Sequence, residues 1–506
     1  MIPEEFWRHL PALQIVIPLM FAPICAIFSR GGIAWAIALL VSVTTFAISL
    51  TLLAQVLDGT AISYHLGGWA PPWGIEYRVD IVNAFVLMIV SGIATVILPY
   101  ARASVASEID ASQHGLFYSA FLLCLTGLLG VAITGDAFNV FVFLEISSLS
   151  TYTLVAMGAK RDRRALTAAY NYLILGTIGA TFFVIGIGFL YMITGTLNMA
   201  DLAIKIVEHG DSRTLRVGFV FILVGIGLKL AMFPLHLWLP NAYHFAPSAV
   251  TAFLAATATK VAVYVLLRFL FTVFRFDYPF EAITLETVVM PLAILAMFAA
   301  SIVAIFQESV KRMLAYSSIA QIGYMLLGIS LLNHTGLVAT IIHLFNHAVT
   351  KGALFMVMGC YMFRLGSTSI KSLRGIGRHM PWTTAAFVVG GLSLIGVPLT
   401  VGFISKWYLI QAALEGGRWP VAFLIVASSL LAVIYVWRIV ETAYLHPAPA
   451  AQAGAKKIRE APLSMLIPTW FLISASIYFG IDADLTSTAA TRAANALLGI
   501  SKVFGG

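Results

Sequence analysis

The chain has 506 residues but few charged ones: Asp, Glu, Lys and Arg together make up 10% of it, whereas 60% of the residues are hydrophobic. Soluble domains carry about 25% charged residues, and a single hydrophobic core stops growing near about 250–300 residues. A soluble protein of this length would therefore need far more polar surface than the sequence supplies. The composition excludes a cytosolic enzyme, a disordered chain and a fibrous protein, and it predicts a polytopic helical membrane protein.

Cysteine is equally scarce. Cys25, Cys124 and Cys360 lie far apart in apolar runs, and their spacing matches neither a metal site nor a disulfide framework. We interpret them as small buried hydrophobic residues. The sequence also lacks a flavin fingerprint, an iron–sulfur cysteine set and a haem motif, so no cofactor is expected. Because no Lys/Arg-rich block with interleaved aromatics occurs, the net charge of +8 does not indicate a nucleic-acid partner.

Long apolar runs are what the sequence has instead. A helix needs about 20 apolar residues to span a bilayer core. Fourteen stretches meet this need: 11–29, 33–56, 80–100, 115–134, 137–158, 168–193, 216–238, 248–273, 287–305, 312–332, 336–363, 383–411, 420–444 and 462–480. Stretches 4 and 5 are separated only by Thr134–Asp136, and the longest polar insert is His446–Glu460. The predicted fold class is all-α, with about 14 transmembrane helices.

The distribution of basic residues predicts the orientation in the membrane. An even number of crossings places both termini on the same side. With the termini outside, the inside loops hold most of the loop Lys and Arg residues, as the positive-inside rule requires. The sequence therefore predicts a multi-pass protein of the cell (inner) membrane with both termini on the outer, periplasmic side. Basic loop residues such as Lys311 and Arg312 are interpreted as topology determinants that bind no ligand.

A few ionisable residues remain deep inside the apolar stretches once the loops are assigned. A charged side chain at membrane depth costs at least about 2.5–3.5 kcal/mol on insertion scales, so such residues are functional candidates by default. They are Glu145, Lys229, Lys260, His343, His347, Lys351 and Lys406. Four lysines and one glutamate cannot all form ion pairs. Lysines that change between the charged and the neutral form near pH 7 suit a proton relay.

Glu145 is followed by four hydroxyl residues. Ser147, Ser148, Ser150 and Thr151 come directly after it, and their hydroxyls can hold water or share a proton with the carboxylate. The alternative is a cluster that only joins helices, because small polar residues mark packed helix interfaces in membranes. We favour a functional carboxylate.

His343, His347 and Lys351 are spaced i, i+4, i+8, which puts all three on one face of a helix. Two histidines four residues apart can bind a metal, but no third ligand accompanies them here, so no metal site is predicted. The spacing favours a titratable stripe at membrane depth. Histidines that only satisfy hydrogen bonds between helices remain the alternative.

Two stretches have the composition of interrupted helices. Stretch 7 combines Gly225, Lys229 and Pro234. Stretch 12 combines Lys406 with Pro398, which has a glycine on each side of it. Proline removes a backbone hydrogen bond inside a helix, which is tolerated at membrane depth where the backbone lines a cavity or is buried in protein.

Interrupted helices at matching positions of two halves indicate inverted repeats. We predict two inverted five-helix repeats at 115–273 and 287–444, flanked by N-terminal helices in 1–114 and a C-terminal helix at 462–480. A kink without function is the alternative.

Four segments of the sequence resemble one known family. They are Phe138–Glu145, Lys229–Pro240 with Ala246–Ser248, Glu308–Gly323, and His343–His347 with Lys351. In this order they resemble the antiporter-like subunits, which include the large subunits of Mrp-type Na⁺/H⁺ antiporters and the proton-pumping membrane subunits of respiratory complex I and related hydrogenases. The resemblance covers nearly the whole chain and is clearest over 115–445.

The resemblance implies roles for the buried residues. Glu145 is similar to the family's glutamate that pairs with a lysine, here Lys229. Lys260 resembles the lysine that links two half-channels, and the stripe of His343, His347 and Lys351 resembles a central hydrated axis. Lys406 resembles the terminal relay residue. A lysine there is similar both to the D-type subunits of the Mrp antiporters and to the complex I subunit next to the quinone module, and the length of the chain also fits. The D-type subunit is the first choice.

The resemblance implies a transporter subunit rather than an enzyme. The expected function is movement of H⁺ through the Glu/Lys/His relay of a multisubunit Na⁺/H⁺ antiporter. Its partners would be other subunits, the lipid bilayer, H⁺ and Na⁺, with no nucleic acid. Two alternatives stay open: a proton-pumping membrane subunit of an NADH:quinone oxidoreductase or membrane-bound hydrogenase, and a scaffold subunit whose charges are vestigial.

Overall fold

The computed structural model describes residues 7–28, 31–276, 278–447 and 458–500. This part of the chain is a bundle of helices with one two-stranded antiparallel hairpin, β1 Ile62–His65 and β2 Glu76–Val79. The helices are α1 Leu10–Ile27, α2 Gly31–Val56, α3 Ile81–Glu108, α4 His114–Ile133, α5 Ala137–Ala156, α6 Arg164–Thr194, α7 Met199–His209, α8 Arg213–Leu230, α9 Trp238–Phe245, α10 Ser248–Ala256, α11 Ala258–Arg268, α12 Pro279–Thr284, α13 Met290–Ile305, α14 Val310–Ser330, α15 His334–Leu365, α16 Pro381–Ile395, α17 Val401–Glu415, α18 Trp419–Tyr444, α19 Leu463–Ile481 and α20 Asp484–Leu497.

Each of the fourteen predicted apolar stretches coincides with helix. Apolar runs of this length become helical because a bilayer offers no partner to an unpaired backbone N–H or C=O group. In the described residues, twelve helical segments are long and apolar enough to span a membrane. The remaining two stretches, 7 and 12, contain helices that are interrupted, as predicted. The all-α membrane fold is thereby confirmed, whereas the count of fourteen crossings and the division into two repeats stay predictions.

Short polar caps decide where several helices begin. Asp80 precedes α3, accepts hydrogen bonds from the amides of Val82 and Asn83, and its own amide donates to the Asn83 side chain in return. Asp136 precedes α5 and accepts from the Asn139 amide at 2.7 Å. Such N-caps satisfy amides that a helix leaves unpaired. The Asp136 cap explains how three residues are enough to separate α4 from α5.

Helix α15 forms the centre of the bundle. Along its membrane-spanning length it is buried by the other described parts of the chain. It packs against α3, α10, α14, α16, α17 and α19. Tyr100 of α3 donates a hydrogen bond from its hydroxyl to the Met356 carbonyl of α15 at 3.0 Å. This position surrounds the predicted stripe of His343, His347 and Lys351 with protein on every side.

The loops gather at two opposite ends of the bundle. One end, called the hairpin end below, holds β1–β2, α7 and α20, where Arg492 of α20 donates to the Leu57 carbonyl at 2.5 Å. His9 beside α1 also contacts this end, through the Tyr64 hydroxyl at 3.0 Å.

The other end, called the basic end below, holds the links α3–α4, α5–α6, α9–α10 and α15–α16, joined by the Lys160–Asp110 ion pair and by Arg161, which donates to the Gly366 carbonyl. The first and the last described segments therefore meet the same end, in agreement with the predicted even number of crossings. The predicted termini, 1–6 and 501–506, and residues 448–457 of the polar insert lie outside the described residues. That the hairpin end faces outward stays a prediction.

A buried ion pair fastens the hairpin end. The Arg268 guanidinium at the end of α11 bonds the Asp80 carboxylate and donates to the Tyr264 hydroxyl at 2.9 Å, and Tyr264 in turn donates to the Ala132 carbonyl at 2.8 Å. Burial by itself would raise the pKa of Asp80, but Arg268 and two backbone amides hold it below its usual value. One ion pair thus joins α3, α4 and α11.

Replacing Arg268 by Met should destabilise the protein by about 3 kcal/mol, the lower end of the range for breaking a buried ion pair, because the mostly buried Asp80 carboxylate would keep only its two backbone amide bonds. Arg216→Met is the matched control, since the Arg216–Asp211 pair lies at the same end but is exposed, and exposed pairs contribute little. The measurement is thermal unfolding of the protein in detergent. Equal melting temperatures for the two variants would contradict the role given to the buried pair.

Candidate functional site

Glu145 and Lys229 form an ion pair between α5 and α8. The Lys229 Nζ lies 3.2 Å from Glu145 Oε1 and donates to the Ser148 Oγ at 2.7 Å. The lysine side chain is only 7% exposed, while the glutamate side chain is 25% exposed. The contact implied by the family resemblance is therefore present. The Ser148 hydroxyl bonds the lysine rather than the carboxylate, and the hydroxyls of Ser147, Ser150 and Thr151 donate to backbone carbonyls of α5.

Helix α8 ends directly after this lysine. Ala231 adopts a left-handed conformation with φ 61° and returns its amide to the Gly227 carbonyl, and Trp238 of α9 donates from Nε1 to the Leu228 carbonyl at 2.9 Å. The last carbonyls of α8 are the negative end of its dipole, and a cation in the last turn is stabilised there. The interruption therefore leaves Lys229 in the last turn of a half-helix, with its ammonium group against the Glu145 carboxylate.

The second interruption holds Lys406. Helix α16 ends at Ile395, Gly396 has φ 93°, and α17 begins at Val401. From α17 the Lys406 Nζ reaches back and donates to the carbonyls of Leu394 at 3.1 Å and Ile395 at 2.8 Å. The same nitrogen lies 4.9 Å from the centre of the Tyr324 ring, within range of a cation–π contact. Both predicted interruptions thus carry a lysine at the carbonyl end of a half-helix.

The histidine stripe of α15 runs beside this lysine. The His343 Nδ1 contacts the Ser405 Oγ at 2.7 Å, and the His343 and His347 rings are parallel with centroids 5.9 Å apart. Among the described residues, neither nitrogen of His347 has a hydrogen-bond partner, nor has the His343 Nε2. Buried polar atoms are normally satisfied, by protein or by ordered water. The stripe therefore offers three open hydrogen-bonding positions at membrane depth.

Lys351 and Lys260 bond uncharged carbonyl and hydroxyl oxygens rather than carboxylates. The Lys351 Nζ donates to the Leu314 carbonyl at 2.9 Å and to the Ser317 hydroxyl. The Lys260 Nζ donates to the Ala255 carbonyl and to the Thr259 Oγ1 at 3.2 Å. Neither lysine takes part in an ion pair within the described ranges. Both ammonium groups are therefore satisfied without a compensating negative charge.

A third interruption, which the sequence did not predict, exposes the carbonyl bound by Lys260. Helix α10 ends at Ala256 and α11 begins at Ala258, because Thr257 leaves the helical conformation with φ −125° and ψ −57°. The Lys260 amide then bonds the Thr257 carbonyl, which frees acceptors of the preceding turn. Since neither glycine nor proline stands at this point, composition gives no signal for the break.

The seven predicted residues fall into two groups in space. Glu145 and Lys229 form the first group. Lys260 is close enough to His343, His347 and Lys351 to interact with them electrostatically, and Lys406 interacts with His343. No direct hydrogen bond joins Lys260 to the first group in the described structure. The structure thus brings five of the seven residues into one group and the Glu145–Lys229 pair into another, while their roles in transport stay predictions.

The interpretation of Lys311 as a basic loop residue that only sets topology is wrong in part. Lys311 lies at the start of α14, is 2% exposed and donates from Nζ to the Ala246 carbonyl at 2.5 Å. It is as buried as the relay lysines. The adjacent Arg312, which is more exposed, disguises it in the sequence, because a Lys-Arg dipeptide at the end of an apolar stretch is typical of a loop.

The comparisons with known proteins agree with this architecture. A family model described as "NADH:quinone oxidoreductase/Mrp antiporter, TM" matches residues 134–434. The chain is 41% identical over 485 residues to the N-type subunit of the NADH-quinone oxidoreductase of Desulforudis audaxviator, covering 94% of this chain and 96% of that protein. It is 29% identical over 479 residues to the D-type subunit of the Na⁺/H⁺ antiporter of Alkalihalophilus pseudofirmus, covering 94% of each. A chain of the solved Mrp complex from Dietzia sp. superposes with a TM-score of 0.89, at 25% identity over 98% of both chains.

The interrupted helices and their buried lysines define a polytopic membrane protein with a series of titratable groups across its core. The chain belongs to the NADH:quinone oxidoreductase/Mrp antiporter transmembrane family, since the family model covers more than half of it. The predicted resemblance is confirmed. Relatives of both expected kinds occur, one from a Na⁺/H⁺ antiporter and one from an NADH-quinone oxidoreductase.

Replacing Gly396 by Ala should displace Lys406 from its carbonyls. An added Cβ would lie 2.9 Å from the Lys406 Cδ, and such overpacking costs about 1–3 kcal/mol on top of the strain of a positive φ. Gly195→Ala is the control, because Gly195 also has a positive φ but nothing lies within 4 Å of an added Cβ. The Gly396 variant should melt at a lower temperature than the Gly195 variant. A melting temperature equal to or above that of the control would be inconsistent with this packing.

Proposed function

We propose that this chain is a proton-translocating subunit of a multisubunit monovalent cation (Na⁺)/H⁺ antiporter, and a transporter rather than a catalytic enzyme. The observation that carries the proposal is the series of buried titratable side chains from Glu145 and Lys229, through Lys260 and the α15 stripe, to Lys406. The antiporter relative and the Mrp complex structure support the same conclusion. The chain would act with partner subunits in the cell membrane, with the hairpin end outside.

The proposed mechanism is coupling between charges. In one state Glu145 and Lys229 form the observed ion pair. When they separate, the uncompensated Lys229 ammonium raises the free energy of a proton on Lys260, because like charges repel strongly in a low-dielectric interior. That proton then moves to the histidine stripe and on to Lys406. The open nitrogens of His347 give water a place to connect these groups.

The arrangement of oxygen atoms supports separate pathways for H⁺ and Na⁺. A Na⁺ site needs several oxygen ligands, and among the described residues near the relay the side-chain oxygens are those of Glu145 and of separate hydroxyls such as Ser148. The lysines occupy the carbonyls that the helix interruptions release. We therefore propose that this subunit carries mainly H⁺ and that Na⁺ crosses through another subunit.

A second candidate function uses the same relay with a different energy source. The 41% identical relative is a subunit of an NADH-quinone oxidoreductase, and a chain with this geometry could pump protons when a redox module moves the Glu145–Lys229 pair. The two functions differ in whether addition of Na⁺ dissipates a proton gradient. This difference can be measured directly.

Lys229→Ala should lower the rate of Na⁺-dependent proton movement by about 100-fold, because it removes the charge that repels the proton from Lys260, and a change of about two pKa units in that effect corresponds to this factor. The measurement is ΔpH in everted membrane vesicles from cells that express the chain together with the products of its flanking genes. The vesicles are energised by respiration before Na⁺ is added. Lys205→Ala, which removes the partly exposed Lys205–Asp201 pair of α7, should behave like the wild type.

Two outcomes would contradict the proposal. Wild-type antiport in a normally assembled Lys229→Ala complex would exclude the charge-coupling mechanism. Absence of any response to Na⁺, Li⁺ or K⁺ from the assembled wild-type complex would replace the antiporter with the redox-driven pump.

A further inference from the structure

A cavity of about 320 Å³ opens at the basic end, outside the relay described above. It lies where the end of α3, the α5–α6 link, the α9–α10 link and the start of α14 meet. Its ionisable lining residues are Glu108, Arg161, Asp162, His244, Glu308 and Lys311. A polar cavity of this size has room for several water molecules. The cavity therefore brings water to the buried amino group of Lys311.

Lys311 has no direct negative partner there. Its Nζ donates to the Ala246 carbonyl in the α9–α10 link. The nearest buried carboxylate, that of Glu108, is engaged elsewhere: it accepts from the Ser248 amide at 3.1 Å and the Ser248 hydroxyl at 3.2 Å, and lies 3.8 Å from Arg161. Glu108 acts on Lys311 only at longer range. The lysine can therefore lose and regain a proton without breaking an ion pair.

His244 is an uncharged lining residue of the cavity. Its Nδ1 contacts the Ser309 hydroxyl at 3.2 Å, and Ser309 contacts the Thr368 hydroxyl at 3.3 Å. Burial first, and then the charges of Lys311, Arg312 and Arg164, lower the pKa of His244 to about 4. The imidazole is thus uncharged at neutral pH and adds no positive charge next to Lys311.

Several hydroxyl groups lie between the same link and the centre of the bundle. The Thr251 hydroxyl donates to the Tyr243 carbonyl at 2.9 Å and lies 3.4 Å from the Ala246 carbonyl that binds Lys311. The Tyr243 hydroxyl bonds the Leu254 carbonyl at 3.3 Å and also interacts with the Thr259 hydroxyl. Thr259 accepts from the Lys260 Nζ at 3.2 Å. The hydroxyls of Thr259 and Tyr243 therefore extend from Lys260 toward the α9–α10 link, whereas the Thr251 hydroxyl meets the main chain of Tyr243 rather than its hydroxyl.

We propose that Lys311 takes up protons at the basic end and passes them to Lys260 through the hydroxyls of Thr259 and Tyr243. A hydronium ion in the cavity gives its proton to the free amine of Lys311 and becomes water. The resulting ammonium group then passes one proton through bridging water to the Tyr243 hydroxyl and returns to the free amine. Each hydroxyl gives up one proton as it accepts another, the free amine of Lys260 takes the last one, and no bond between heavier atoms changes. This assignment rests on the proposed function, because it supplies the protons that the relay moves.

Two substitutions test the path in the ΔpH assay with the complete complex. Lys311→Arg keeps a donor for the Ala246 carbonyl, but a guanidinium does not release its proton in proteins, so proton movement should fall about 100-fold. A lysine that only holds the α9–α10 link would tolerate arginine. Tyr243→Phe removes one hydroxyl and should also slow transport.

Tyr361→Phe is the matched control for the tyrosine. Tyr361 is equally buried and its hydroxyl bonds a threonine, Thr384, at 3.0 Å, away from the cavity. The proposal is overturned if an assembled Lys311→Arg complex transports at the wild-type rate, or if Tyr243→Phe is as fast as Tyr361→Phe. Should the arginine variant not assemble, the comparison of the two phenylalanine variants decides.

Lys260→Met separates this inference from the proposed function. Normal transport by Lys260→Met would contradict the proposed relay, and with it the proposed function. A slow Lys260→Met complex beside a normal Lys311→Arg complex would keep the relay and exclude only the uptake path.

Discussion

A buried ammonium group must be given an acceptor, and in this bundle the acceptor is usually a backbone carbonyl. Lys260, Lys311, Lys351 and Lys406 each donate to at least one main-chain oxygen. A carbonyl at a helix end or interruption has no amide partner within the helix and is free to accept a hydrogen bond. The interruptions at Thr257 and Gly396, and the α9–α10 link at Ala246, supply such carbonyls to Lys260, Lys406 and Lys311. Lys351 differs, because it shares the Leu314 carbonyl inside the uninterrupted helix α14.

The choice of acceptor has a consequence for protonation. A carbonyl accepts a hydrogen bond from an amine as well as from an ammonium group, so a lysine held this way keeps its hydrogen bond when it loses a proton. A carboxylate instead favours the charged form. Lys229 is the exception, since it is paired with Glu145. Among the buried lysines that the structure describes, Lys229 is thus held by a carboxylate, while the others keep their hydrogen bonds in either protonation state.

The sequence predicted the features that composition and spacing control. Helix positions followed from apolar runs, and the interruptions near Lys229 and Lys406 followed from glycine and proline. The single face shared by His343 and Lys351 followed from helical periodicity. The break at Thr257 could not be predicted, because neither glycine nor proline stands there and a single threonine lowers helix propensity only slightly. In the structure its hydroxyl donates to the Phe253 carbonyl one turn earlier, a contact that often bends helices. The burial of Lys311 likewise depends on the α9–α10 link, which folds over it from a distant part of the sequence.

Exposure distinguishes the two ends of the relay. Glu145 is a quarter exposed, and its neighbours on α5, Val142 and Leu149, also present their side chains outward. The other six relay residues are all less than 10% exposed. A molecule that contacts the outer face of α5 therefore reaches the relay at Glu145 without crossing the bundle. Antiport and redox-driven pumping both require some external event to open the Glu145–Lys229 pair, and the same exposed carboxylate is accessible to either.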